Sequence, residues 1–154
     1  MANTYAQIYL QIVFAVQGRE ARIHESFRDE LQMYMSGIIS KNGQKLYAIY
    51  CMPDHTHILI SYKPGSMLIA DLVRDIKSCS TAFLKSKGFV RTGFSWQSGY
   101  GVFSYHKELL PVVTAYILNQ RAHHEKKKFR QEYLEFLNEF EIEYNERYLF
   151  EFYE

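Results

Sequence analysis

The feature that most limits the folds open to this chain is a pair of apolar runs joined by a tight turn. Lys45–Cys51 (KLYAIYC) and His55–Tyr62 (HTHILISY) flank Met52-Pro53-Asp54. Proline followed by aspartate is turn chemistry, because proline presets φ and the aspartate side chain can hydrogen-bond to nearby backbone. Two β-rich runs joined this closely pair antiparallel. Side chains alternate across a strand, so His55 and His57 share one face and can offer two imidazoles to one metal ion. Two nitrogen donors are half a site. A further ligand, and a use for the ion, must come from elsewhere in the chain.

The remaining elements follow from periodicity. Tyr5–Val16 is β-branched and aromatic enough for a central strand, and Gly18 ends it. From Ser26 to Ser40, Phe27, Leu31, Tyr34, Met35, Ile38 and Ile39 recur at helical spacing and Asn42-Gly43 closes the helix. A second helix is predicted from Met67 to Lys85, with Ser66 as N-cap and an apolar face of Leu68, Leu72, Ile76, Cys79 and Phe83. Phe89–Tyr105, with Gly93, Gly99 and Gly101 among aromatics, reads as a short hairpin. A third helix starts near Lys107, where Pro111 is tolerated in the first turn. Beyond Lys126-Lys127-Lys128 the chain reads as a further helix and an extended, Glu- and Tyr-rich tail. The order β-α-β-β-α-β-β-α predicts a ferredoxin-like (RRM-like) α+β fold. It has an antiparallel sheet with helices packed on one face, the histidines on a central strand, and an additional C-terminal helix.

Composition sets the outer bounds. With 154 residues, 47% of them hydrophobic and 16% aromatic, the chain is expected to fold as one domain over 1–154 and is not disordered. Cys51 and Cys79 lack partner spacing and are expected to be reduced core thiols of a cytoplasmic protein. The longest apolar run, Leu109–Leu118, is broken by Pro111, Thr114 and Tyr116 and is too short to span a bilayer; no signal-peptide pattern is present. Net charge is +1, but residues 63–130 carry 12 Lys/Arg against 4 Asp/Glu, whereas residues 131–154 carry 1 against 8. A basic middle fits a polyanion partner, and an acidic tail could equally neutralise it within the chain.

On the third helix, Tyr116, Asn119, Gln120 and His123 fall on one face, apart from Leu110, Val113 and Ile117. A solvated polar stripe would look the same. Combined with the histidine pair, the stripe suggests phosphoryl chemistry. A metal held by two histidines and an oxygen donor can polarise a phosphate, and a tyrosine can attack phosphorus to form a covalent intermediate. A phenol of pKa about 10 needs help to do so. Gln120, one turn beyond Tyr116, could supply the oxygen ligand.

These segments resemble a known family. Pro53-Asp54-His55-Thr56-His57-Ile58-Leu59 resembles the HUH motif of single-tyrosine transposases of the insertion-sequence-200/605 type, REP-associated tyrosine transposases included. Trp96-Gln97-x-Gly99-Tyr100-Gly101-x-Phe103-Ser104, then Tyr116-Ile117-Leu118-Asn119-Gln120 and His123-His124, match that family's later motifs in order. The resemblance implies that Tyr116 is the nucleophile, that His55, His57 and Gln120 bind Mg²⁺ or Mn²⁺, and that single-stranded DNA bearing hairpin ends is cleaved through a 5′-phosphotyrosine. It also implies a homodimer with active sites shared between subunits. Thr56 departs from the bulky apolar residue usual in the motif; it points to the opposite face, so a packing difference is expected. Candidate phosphate contacts are Arg74, Lys77, Lys85, Lys87, Arg91 and Arg121, and Tyr100, Phe103 and Tyr105 could stack on bases. A domesticated, non-transposing single-stranded DNA- or RNA-binding protein is the alternative, although it would not need the set of His55, His57, Tyr116 and Gln120. A phosphoesterase of the two His-x-Thr/Ser type finds support only at His24-Glu25-Ser26. The acidic tail carries no catalytic reading.

Overall fold

The computed structural model describes residues 3–20 and 22–153. Strands β1 (Tyr9–Ala15), β2 (Lys45–Cys51), β3 (His55–Ser61) and β4 (Gly101–Tyr105) form one antiparallel sheet in the order β2-β3-β1-β4. Helices α1 (Arg28–Lys41) and α2 (Ile69–Ser86) supply the two crossovers. The chain then continues through α3 (Leu110–Leu118), α4 (Gln120–Lys126) and α5 (Phe129–Glu139). This is the expected ferredoxin-like α+β arrangement, with β1 and β3 in the middle of the sheet.

Register sorts the side chains. Val13 lies opposite His57 on β3, and Gln11 lies opposite Phe103 on β4. Alternation therefore puts Gln11, Val13, His55, His57, Leu59 and Phe103 on one face and Ile12, Phe14, Thr56, Ile58 and Ile60 on the other. The second face packs against α1 and α2 through Leu31, Met35, Ile39, Leu72 and Ile76, all fully buried. Each such side chain contributes roughly 1.5–3 kcal/mol of burial. The first face is covered too: Ala48 and Leu59 meet Val113 and Ile117 of α3, and Phe136 of α5 stacks on Phe103 at 4.9 Å. Helices thus lie on both faces, α1 and α2 on the expected one and the C-terminal helices on the histidine side. That double burial is why β1 and β3 read as nearly continuous apolar runs.

Several boundaries differ from the sequence reading. β1 begins at Tyr9, and Tyr5 is exposed. The buried stripe of α2 is Leu72, Ile76, Ser80 and Leu84, with Val73 beside it. Ser80 is inside because its hydroxyl accepts the Trp96 indole N–H at 3.0 Å. The helix is therefore rotated relative to the predicted face. Leu68 becomes the cap residue and is exposed, and Cys79 faces outward, so only Cys51 is a core thiol. Burial pushes the Cys51 thiol up to about 12.

The expected hairpin over 89–105 holds one strand, β4, and Trp96 only bridges Val16. Lys77 governs this: its ammonium donates to the carbonyls of Gln97 at 2.8 Å and Gly99 at 2.7 Å, pinning the segment as a loop. The third helix is two, interrupted at Asn119 (φ −103°, ψ 21°). The tail is packed: Phe150 and Phe152 rest on Phe129 and Tyr133 of α5. The Gln97 side chain pairs with the Glu151 backbone through bonds of 2.7 and 2.9 Å. Among the described residues no helix is long and apolar enough to cross a membrane.

Gly101 of β4 lies directly against Tyr133 of α5. A Cβ there would lie 2.7 Å from the Tyr133 hydroxyl and 3.1 Å from the Phe103 ring. Tyr133 is itself wedged against Phe129 and Phe150, so it cannot swing aside freely. Gly101→Ala is expected to destabilise the fold by about 1–3 kcal/mol, read as a lower urea midpoint. Gly93→Ala, with no atom within 4 Å of the added Cβ, should leave the midpoint unchanged.

Candidate metal centre and its tyrosine

The β2–β3 turn builds the first half of the site. Val16 N–H donates to the Asp54 carbonyl at 2.8 Å, anchoring the turn to the end of β1. The Asp54 carboxylate accepts from His55 Nδ1 at 2.7 Å, and Gln11 Oε1 accepts from His57 Nδ1 at 2.7 Å. Gln11 is fixed in turn by donating to the Tyr105 hydroxyl at 2.8 Å. Each imidazole is thereby oriented through Nδ1, leaving Nε2 to point away from the sheet. Such partners commonly orient metal-binding histidines.

The second half comes from the C-terminal helices. Phe129 stacks on the His55 ring at 3.8 Å and 5°. Glu132, three residues on, then brings its carboxylate among the imidazoles. Glu132 Oε1 lies 3.5 Å from His55 Nε2, 3.0 Å from His57 Nε2 and 3.2 Å from His124 Nε2. The ligand atoms of His55, His57, His124 and Glu132 all fall within 4.8 Å of one another, a group that could hold a metal ion. His55 Nε2 is buried and makes no hydrogen bond, so one donor atom aimed into the cluster is unsatisfied. That orphan, with three nitrogens and a carboxylate converging, fits a divalent cation.

Tyr116 stands beside the cluster. Its hydroxyl donates to Glu132 Oε2, the oxygen not facing the histidines, and its ring packs on His123 at 4.5 Å. Gln120 is fully buried. Its amide oxygen meets His124 Nε2 at 2.9 Å, and its amide nitrogen points back to the Tyr116 carbonyl at 3.4 Å. The sequence-derived set of His55, His57, Tyr116 and Gln120 is thus gathered at one place within a single chain. Thr56 is buried on the opposite side of the sheet, as the strand period requires.

Electrostatics follow from burial. Burial alone would raise the Glu132 carboxyl, but His57, His124 and His55 around it hold it well below the usual carboxylate range. Burial lowers the His57 imidazole. It opposes protonation of His55 as well, yet Asp54 and Glu132 bring that group up to about 9. Burial, then the Glu132 charge, push the Tyr116 phenol above its ordinary range. A cleft of about 260 Å³ reaches the phenol, lined by Tyr105, Leu109, Val112, Lys127, Glu135 and Glu139 among others.

The basic candidates are scattered. Arg74 pairs with Asp71 at 3.1 Å, and Arg121 pairs with Glu25 at 3.0 Å. The Lys77 ammonium is committed to carbonyls, and its burial brings its pKa down to about 8. Lys85 and Lys87 are exposed. Arg91 shares with Arg22 a groove of about 850 Å³. Phe103 lies in the core and Tyr105 is half-buried against Phe140, while Tyr100 is exposed.

Sequence reasoning missed Gln11, Asp54, His124 and Glu132. For Glu132 a signal existed: on α5 it falls in line with Phe129, Tyr133 and Leu137, and a carboxylate on an apolar stripe requires a partner.

Comparison with known proteins gives concordant results. The family described as "Transposase IS200 like" matches residues 4–120. The ISDra2 transposase TnpA of Deinococcus radiodurans is 25% identical over 119 residues, covering 74% of this chain and 84% of that protein. A crystal structure from Deinococcus radiodurans R1, assigned as a transposase, superposes with TM-score 0.61 at 23% identity, covering 78% of this chain and 95% of that one. A REP-associated tyrosine transposase bound to a REP hairpin superposes with TM-score 0.59 at 13% identity, covering 80% and 73%. The two structures establish likeness of fold.

If Asp54 orients a ligand, Asp54→Asn is expected to weaken binding of a divalent ion by roughly 10–100-fold while leaving the metal-free melting temperature nearly unchanged. Calorimetric titration with Mn²⁺ beside a thermal melt checks both; a large loss of melting temperature with unchanged affinity would make Asp54 a fold residue only.

Proposed function

The chain belongs to the family of IS200-like transposases, and from that premise we propose that it cleaves and rejoins single-stranded DNA at hairpin-bearing ends through a 5′-phosphotyrosine on Tyr116. The observation that carries this reading is one carboxylate with two engagements: Glu132 Oε2 accepts the Tyr116 hydroxyl, while Oε1 lies among three imidazoles. The nucleophile and the candidate metal ligands are therefore one side chain apart. The REP hairpin held by a structural relative supports a hairpin substrate.

The chain's own groups account for the step. Glu132 holds the phenolic proton at Oε2 and orients the oxygen for attack. As Tyr116 Oη bonds to phosphorus, the P–O3′ bond breaks and its electron pair leaves with the 3′ oxygen. Glu132 keeps the phenol oriented while its proton is lost to solvent, and a proton from solvent completes the 3′-hydroxyl, so the protons balance. Rejoining runs the same exchange backwards from a 3′-hydroxyl, so no external energy source is consumed. A divalent ion held by His55, His57 and their neighbours would, when bound, supply Lewis-acid polarisation of the phosphoryl oxygen. Lys85 and Arg91 are the proposed phosphate contacts best disposed to act, since Arg74, Lys77 and Arg121 already have partners.

Two arrangements of the site are open to test. Tyr116 bonding to Glu132 of its own chain favours cleavage completed within one subunit. The homodimeric, shared site that the family resemblance implies is the second reading. It finds support in the apolar side chains of Leu109, Val112 and Leu118 exposed around α3.

Labelled hairpin DNA from the sequence flanking the gene, incubated with Mg²⁺ or Mn²⁺, is expected to give a covalent protein–DNA adduct that Tyr116→Phe abolishes. Equal adducts from both proteins would remove Tyr116 from its role, and binding without adduct across metals and substrates would favour a non-transposing DNA-binding protein. Mixing Tyr116→Phe with His57→Ala separates the arrangements: a site within one chain predicts no adduct from the mixture, whereas a shared site predicts partial recovery.

A further inference from the structure

We infer that His124 and Glu132, rather than Gln120, complete the metal site with His55 and His57, and that this donor set selects a first-row transition ion over Mg²⁺. The inference rests on the reading of His55 and His57 as ligands, and deepens it by naming the rest of the set.

Geometry carries the assignment. Tetrahedral ligands about 2.1 Å from an ion lie roughly 3–4 Å from one another. Glu132 Oε1 lies 3.5, 3.0 and 3.2 Å from Nε2 of His55, His57 and His124, so a small adjustment admits an ion among the four. Gln120 is differently placed. Its hydrogen bonds run to the Tyr116 carbonyl and to His124, both on the same pair of helices, and none reaches His55 or His57. Its amide oxygen borders the ring of donors at one corner, His124 Nε2, a contact that coordination through Nε2 would replace.

A second observation points the same way. His55 is buried, its Nδ1 is taken by Asp54, and its Nε2 has no hydrogen-bond partner although it is aimed at the cluster. A buried polar atom left unpaired costs about 1–3 kcal/mol, and coordination removes that cost. Charge balances as well: Glu132 and the Asp54 behind His55 supply two negative charges against a divalent ion.

The donor types set the metal class. Three imidazole nitrogens and one carboxylate oxygen suit Mn²⁺, Fe²⁺ or Zn²⁺. Mg²⁺ requires near-octahedral oxygen coordination and gives up its waters reluctantly. Glu132 is then also a positioning residue for Tyr116, because the oxygen not on the ion holds the phenol.

The test is metal binding by the full-length chain after chelation, titrated with Mn²⁺, Zn²⁺ and Mg²⁺ and followed by calorimetry and by the metal-induced rise in melting temperature. Wild type is expected to take one Mn²⁺ or Zn²⁺ per chain, with Mg²⁺ giving no rise at concentrations where Mn²⁺ saturates. His124→Ala and Glu132→Gln are each expected to lower Mn²⁺ affinity by more than about 100-fold, beyond the roughly 10–100-fold cost of losing an outer-shell partner, which is the range expected of Gln120→Ala. Should His124→Ala melt early without metal, His124→Gln keeps the helix surface filled and is read in its place. Loss of binding in Gln120→Ala with retention in the His124 variants would overturn the assignment, as would Mg²⁺ binding as tightly as Mn²⁺. Tyr116→Phe is expected to bind metal like wild type, so a failed strand-cleavage reading, with no adduct but intact binding, is distinguishable from a failed ligand assignment.

Discussion

One buried carboxylate organises the histidine face of this protein. Glu132 is 2% exposed, and a carboxylate taken out of water at that depth is tolerated only when paired and hydrogen-bonded. Its partners come from three separate elements: His55 and His57 from β3, His124 from α4 and the Tyr116 hydroxyl from α3. Satisfying Glu132 therefore fixes where three helices lie on the sheet. The flanking aromatics do the complementary apolar work, with Phe129 on His55 and Phe136 on Phe103 holding α5 down on either side of the charge. The terminal segment then closes over α5 through Phe150 and Phe152, tied to Gln97.

The two faces of the sheet divide the labour. The α1/α2 face is a conventional apolar core, with Ile12, Phe14, Ile58 and Ile60 fully buried between strands and helices. The other face inserts Gln11, His55, His57 and Glu132 into an otherwise apolar layer, and each is matched to a specific partner. A network of this kind contributes little net stability, since each polar group gives up water to join it. The core opposite supplies the surplus that lets such a face exist. Because β1 and β3 carry residues of both faces alternately, the core rigidly sets the spacing of the histidines.

What the sequence made legible was local. The β2–β3 turn, the alternation that puts His55 and His57 together, and the helical spacings of α1 and α3 are written in short windows, and the fold follows from their order. What stayed hidden depended on distant contacts. The rotation of α2 hinges on Ser80 meeting the Trp96 indole, sixteen positions away. The loss of the 89–105 hairpin hinges on Lys77 reaching two carbonyls twenty and twenty-two positions on. Glu132 is hidden in the tail's net charge, which averages a buried carboxylate together with solvated ones such as Glu141 and Glu143.

That distinction also sets the charge of the cleft at Tyr116. The basic middle and the acidic tail do partly neutralise each other, through Lys127 with Glu135, and Arg121 finds Glu25 in the N-terminal third. The cleft at Tyr116 is lined by Glu132, Glu135 and Glu139, with Lys127 as its nearby ammonium, already paired. A phosphate entering a cleft of that character would meet repulsion that exposed lysines elsewhere cannot cancel, because their fields fade within a Debye length of about 8–10 Å. A divalent ion held among His55, His57, His124 and Glu132 would place positive charge beside this cleft. Under the proposed function, a divalent ion held there would offset the Glu132 charge beside the Tyr116 phenol.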